Sequence, residues 1–129
     1  MLREPVERVV SDYVETLHAR ETGSLHPYLR ESQKWLGNSL HDFLDVLPET
    51  VLLHQLYMFS RSFDVDEAFG NIVGCSHFFP TEEFDEGVLE LNAKLGMGLQ
   101  LEPIHTRKTE LSYDPSPSEL DRLRTLLRP

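Results

Sequence analysis

A stripe of apolar side chains near the N-terminus constrains this chain more than any other feature. Val6, Val9, Val10, Tyr13, Val14 and Leu17 recur at i, i+3, i+4, i+7, i+8 and i+11, the spacing of one face of an α-helix. The pattern predicts a helix over residues 5 to 19 whose apolar face has to pack on something. Pro5 suits the first position of that helix, where its missing N–H would have had no partner. That puts Glu4 at the cap and Arg3 just outside the start. Arg8 and Ser11 then share the polar face, one turn apart.

Further on, the helical pattern lapses between Glu21 and Asn38, where Gly23, Pro27 and Gly37 punctuate a polar stretch around Trp35. A loop with a short helix is expected there. Ser39 caps a helix "SLHDFLDVL" with Asp42 at its third position, and Pro48 ends it. "ETVLLHQLYMFSRSF" reads as another helix, and Asp64 to Gly70 as a turn or one helical turn. "NIVGCSHFF" is an apolar run short enough for a buried strand, and "MGLQLEPIH" is a second strand candidate. Between them Thr81 introduces a helix with Phe84, Val88, Leu91 and Leu95 on its apolar face and Gly96 as its stop. At the C-terminal end, Ser116, Pro117 and Glu119 spell a full capping box ahead of Leu120, Leu123 and Leu127. Strand, helix, strand and helix in the second half suggest a βαβα unit: an α/β chain, mostly helical with few parallel strands, forming one partial domain over 1–129.

Composition narrows the function. At 129 residues the chain has one domain's worth of core. No apolar run approaches the ~18 residues that span a bilayer, and the first twenty residues have the character of neither a signal nor a transit peptide. The expected compartment is the cytoplasm, and no membrane segment is expected. A lone Cys75 excludes an internal disulfide and a cysteine zinc site. The net charge of −10 disfavours nucleic acid as a partner and makes any phosphate site a local one.

The opening residues offer such a site. Arg3, Pro5, Arg8, Ser11 and Tyr13 form R-x-P-x-x-R-x-x-S-x-Y at the front of the first helix. The stretch "LREPVERVVSDY" resembles the 3′-phosphate-binding motif of sulfotransferases that use 3′-phosphoadenosine-5′-phosphosulfate (PAPS), in the branch of heparan and other carbohydrate sulfotransferases and their bacterial relatives. "SLHDFLD" is similar to that family's middle helix. "IVGCSHFFPTEEFDEGVLEL" is similar to its G-x-T-E-x-F-D-E-S segment, with Gly87 where the family has Ser, and "HTRKT" falls where it carries an Asn-Lys-Thr-like loop. The resemblance implies the C-terminal half of a truncated P-loop-like sulfotransferase fold, with PAPS as donor and a carbohydrate hydroxyl as acceptor. It also implies Arg3 and Ser11 as the phosphate contacts, with Lys108 and Arg8 as further cofactor-binding residues. The physical demand agrees: a 3′-phosphate is a dianion that wants a fork of donors and the positive end of a helix dipole. Ser11 lies roughly 10 Å along the axis from Arg3 at ~1.5 Å per residue, so the anion would lie alongside the helix.

Two parts of the family's machinery have no counterpart in these residues. The family grips the 5′-phosphosulfate with a Gly-rich loop bearing Lys and Ser or Thr, and takes the acceptor's proton with a His or Glu upstream of the 3′ motif. The expectation is therefore half a cofactor site with unassigned catalytic residues. The rival reading is a catalytically inactive binding or interaction module derived from that fold, whose exposed sheet edge or valine stripe pairs with another chain, a second copy of itself included. His18, His26, His41, His54, His77 and His105 are read as structural or solvent-exposed rather than catalytic, with His54, His77 and His105 in core-like segments and His105 set apart because it precedes the basic pair Arg107 and Lys108. Arg8 with Glu4, Asp12 or Glu15 also reads as a helix-surface ion pair. Glu82, Glu83, Asp85 and Glu86 read as charges favouring a helix N-terminus, not as metal ligands.

Overall fold

The structure, a computed structural model, describes residues 3–23, 26–98, 100 and 111–128. The described residues are mostly helical and contain no β-strand. In chain order the helices are α1 (Pro5–Thr22), α2 (Pro27–Ser32), α3 (Leu40–Val46), α4 (Glu49–Leu52), α5 (His54–Phe59), α6 (Val65–Val73), α7 (Phe84–Leu95) and α8 (Pro117–Leu126). Single 3₁₀ turns precede α3 at Gln33–Trp35 and α7 at Thr81–Glu83. The chain gathers into two compact units, one from Pro5–His54 with Thr109–Pro129, the other from Met1–Glu4 with Gln55–Lys108.

In the first unit the valine stripe of α1 meets α3 and α8. Val9, Tyr13, Leu40, Phe43, Leu44, Leu47 and Leu123 form the core, and Trp35, Val51, Leu52 and Tyr113 pack around it. The rings of Tyr13 and Phe43 lie 5.3 Å apart, and Tyr113 meets Tyr13 edge-on at 5.2 Å. Burying one such side chain stabilises by about 1.5–3 kcal/mol, so this cluster is what holds α1 in place. Short-range caps define the elements around it. The Ser39 hydroxyl accepts from the Asp42 amide, and Ser116 with Glu119 closes a complete capping box at α8. Two polar bridges add to the apolar contacts. The buried Thr16 hydroxyl bonds the Asp12 carbonyl at 2.7 Å and meets Ser32 of α2 at 3.3 Å. Arg122 of α8 donates to the His41 carbonyl at 3.0 Å and pairs with Asp45 of α3.

The second unit is built differently. The residues expected to form a first strand begin inside α6: Asn71, Ile72 and Val73 complete that helix, and 74–79 form no regular element. The reason is a strong local start signal. Asp64 accepts from the Glu67 amide at 2.7 Å, so the helix is nucleated seven residues before the apolar run and takes up its first three residues. Of the second strand candidate, Met97, Gly98 and Gln100 lie in no regular element and the remainder falls outside the described residues. The parallel βαβα arrangement is thus absent among the described residues. The helix expected over 49 to 63 is also two, because Leu53 (φ −100°, ψ 32°) leaves the helical region between α4 and α5.

Two backbone positions shape this unit. Gly96 ends α7 in the left-handed conformation (φ 62°), as a C-terminal glycine does. Gly87, buried within α7, lies so close to Phe79 that a Cβ there would stand 2.2 Å from the ring's Cγ. The same aromatic ring contacts His77 and Phe84, and His77 Nε2 donates to the Gly87 carbonyl at 2.8 Å. Ala68 and Val88 are buried here, whereas Met58, Val65, Phe69, Val73 and Leu89 are exposed.

Candidate functional site

Pro5 opens α1, and Arg3 stands exposed two residues before it. The Arg3 backbone is held on both sides by one side chain: its amide donates to Gln55 Oε1 at 2.7 Å, and Gln55 Nε2 donates to its carbonyl at 2.7 Å. This paired amide contact fixes where the Arg3 side chain leaves the chain. Arg3 belongs to one compact unit, and Arg8 and Ser11 belong to the other.

Ser11 is half-buried in the second turn of α1 and makes no side-chain hydrogen bond among the described residues. Arg8 is engaged. Its Nη1 donates to Asp12 Oδ2 at 2.8 Å, one turn along the helix, and its Nη2 donates to the carbonyls of Val51, at 3.0 Å, and Leu52. Only 13% of its side chain is exposed. Burial lowers the Arg8 pKa from its ordinary value, with Asp12 opposing the shift, and the guanidinium stays charged. The two carbonyls belong to the last turn of α4, the helix end at which a cation is favoured. The ion pair read from spacing is therefore present, together with a contact more than forty residues away that spacing could not reveal.

Lys108, Arg107 and His105 lie outside the described residues. Among the other histidines, His77 is tied to Gly87 as above, and His41 Nδ1 lies 3.2 Å from Arg122 Nη1. His54, expected in a core-like segment, is exposed at the start of α5. Glu82 and Glu83 fall in the 3₁₀ turn, and Asp85 and Glu86 in the first turn of α7, the end that favours negative charge. Among the described residues, no three His, Cys, Asp or Glu side chains gather as a metal-binding group, and no helix is long and apolar enough to cross a membrane.

One polar cluster went unforeseen. The Tyr113 hydroxyl donates to Glu119 Oε1 at 2.7 Å, while Oε2 accepts from the Ser116 amide and hydroxyl, each at 2.8 Å. Burial works to raise the Glu119 carboxyl, but the bonds from Tyr113 and Ser116 outweigh it and the group sits below its usual range. The same bond, with burial, pushes the Tyr113 phenol up to about 12. The capping box made Glu119 visible in the sequence. The only trace of its second partner was a tyrosine three residues before the cap.

Neither a protein-family model, nor a curated protein, nor a solved structure matches the chain.

Proposed function

We propose that this chain carries the 3′-phosphate-binding part of a cytoplasmic sulfotransferase that moves a sulfuryl group from PAPS to a hydroxyl, on a carbohydrate acceptor. The observation that carries the reading is R-x-P-x-x-R-x-x-S-x-Y, whose Pro5, Arg8, Ser11 and Tyr13 lie on one continuous helix that starts at its proline. Arg3 precedes α1 in sequence by two residues, on a backbone pinned by Gln55, and Ser11 on α1 offers a hydroxyl without a protein partner among the described residues. A guanidinium just ahead of a helix in the sequence and a hydroxyl on that helix are the donor types suited to a dianion. PAPS supplies the activated sulfuryl group. The residues here hold the opposite end of the nucleotide, and Lys108 is a further contact on the same reading. Assignment to an α/β sulfotransferase fold rests on the sequence resemblance.

Calorimetry with adenosine 3′,5′-bisphosphate and with adenosine 5′-phosphate tests this. Wild type is expected to prefer the 3′-phosphorylated nucleotide, and Arg3→Ala to lose at least about tenfold in affinity for it, equivalent to ~1.4 kcal/mol. A folded wild-type protein that ignores the 3′-phosphate ends the proposal.

One observation favours a second reading, a non-enzymatic module that pairs with a second copy of itself. Val65, Phe69 and Val73 recur every four residues along α6 and are 44%, 67% and 56% exposed, a continuous apolar stripe of the kind that marks interaction surfaces. Sedimentation equilibrium should then show a dimer that Phe69→Glu dissociates. A monomeric wild type removes this reading.

A further inference from the structure

The role of Arg8 follows from where its donors go. It lies three residues before Ser11 on the same helix, so the two are neighbours on the helix surface. Its guanidinium, with little exposure, bonds Asp12 on α1 and the carbonyls of Val51 and Leu52 at the end of α4. These carbonyls lie at the C-terminal, negative end of a short helix, where a cation is favoured. Val51 and Leu52 also pack against the core that α1 enters with Val9 and Tyr13. A planar fork joining two elements resists both rotation and sliding of α1 in a way that a point charge or an apolar contact does not.

We propose that Arg8 is a positioning residue: it sets the rotation of α1 against α4 and thereby the direction of the Ser11 hydroxyl, without touching the bound phosphate. This inference rests on the reading of α1 as the 3′-phosphate site.

The test is a double-mutant cycle on the affinity ratio between adenosine 3′,5′-bisphosphate and adenosine 5′-phosphate, measured for wild type, Arg8→Ala, Ser11→Ala and the double variant. A hydrogen bond to a charged group changes such a ratio by about tenfold or somewhat more. Arg8→Ala is expected to lower the ratio about as far as Ser11→Ala, and the double variant to be no worse than Ser11→Ala, because residues that act through one contact are not additive. Additive losses mean that Arg8 contacts the phosphate directly. An unchanged ratio in folded Arg8→Ala means that it only stabilises the fold. Either result overturns the proposal. If Arg8→Ala fails to fold, Arg8→Lys takes its place in the cycle, with a smaller loss and the same non-additivity expected. A wild type with no preference between the two nucleotides refutes the phosphate site itself, which separates that failure from failure of the positioning role.

Discussion

Substituting Gly87 by alanine puts two opposed physical terms in competition. Within α7, Ala is favoured over Gly by about 1 kcal/mol because it restricts the unfolded chain and covers the helix backbone. The added Cβ, however, would lie 2.2 Å from Phe79 Cγ and 2.5 Å from both Cδ atoms, far inside the ~3.5–4.0 Å at which carbon atoms attract. The atoms met are at the base of the ring, so a small χ rotation does not relieve the overlap. Moving the ring instead disturbs its contacts with His77 and Phe84. Overpacking of this kind costs about 1–3 kcal/mol, so Gly87→Ala should destabilise α7 by roughly 1 kcal/mol net once the ~1 kcal/mol helix gain is subtracted. In a Phe79→Ala background the obstacle is gone, and the same substitution should stabilise α7 by about 1 kcal/mol. Amide hydrogen exchange across Val88–Leu95 reads the local opening free energy in all four proteins. A stabilising Gly87→Ala in the wild-type background, or the same sign in both backgrounds, refutes the packing argument.

Three other outcomes follow from the first unit, in which Trp35 fluorescence reports unfolding in urea. Folded Glu119 binds its proton more weakly than the unfolded chain does, so its contribution is present above the ordinary carboxylate range and fades as pH falls through the lowered folded value. Tyr113 works in the opposite sense: from a reference of 10.0 its phenol is pushed up to about 12, so its contribution is complete below the reference and fades as pH rises through that interval. Tyr113→Phe should cost about 1.5 kcal/mol at neutral pH, the low end for a bond to a charged group, and flatten both limbs. A profile parallel to wild type contradicts the assignment. Ser116→Ala should cost about 1 kcal/mol as the α8 cap is lost, and an unchanged urea midpoint would count against the capping box. Phe43, 1% exposed against Tyr13, should cost about 3–5 kcal/mol on replacement by Ala; a loss below about 1 kcal/mol would mean that the cluster described is not the core.

Legibility depended on the distance over which each signal acts. Ser39 with Asp42, Ser116 with Glu119, and Gly96 at the end of α7 are caps spanning at most a few residues, and side-chain chemistry alone announces them. "NIVGCSHFF" was misread because a short apolar run has no period long enough to separate strand from helix, and the deciding cap at Asp64 lay upstream. By intrinsic propensity Gly87 is a weak point in a helix. Its reason for being glycine is Phe79, whose approach no local rule describes. In the candidate site, Arg3, Arg8 and Ser11 were visible as types at a spacing, yet nothing in that spacing distinguishes a guanidinium facing a ligand from one capping α4.

The chain's own residues determined that α1 exists, where it starts and which face is apolar, because helix periodicity and proline at the first position act through bonds and neighbours within one or two turns. They also determined the caps of α3, α6 and α8. Only the tertiary structure decided which carbonyls Arg8 would meet, that Arg122 would join α8 to α3, and that Tyr113 would share Glu119 with the cap. Such contacts depend on how separate helices pack against one another, and packing is fixed by the shape and volume of the whole core, which no stretch of sequence contains by itself.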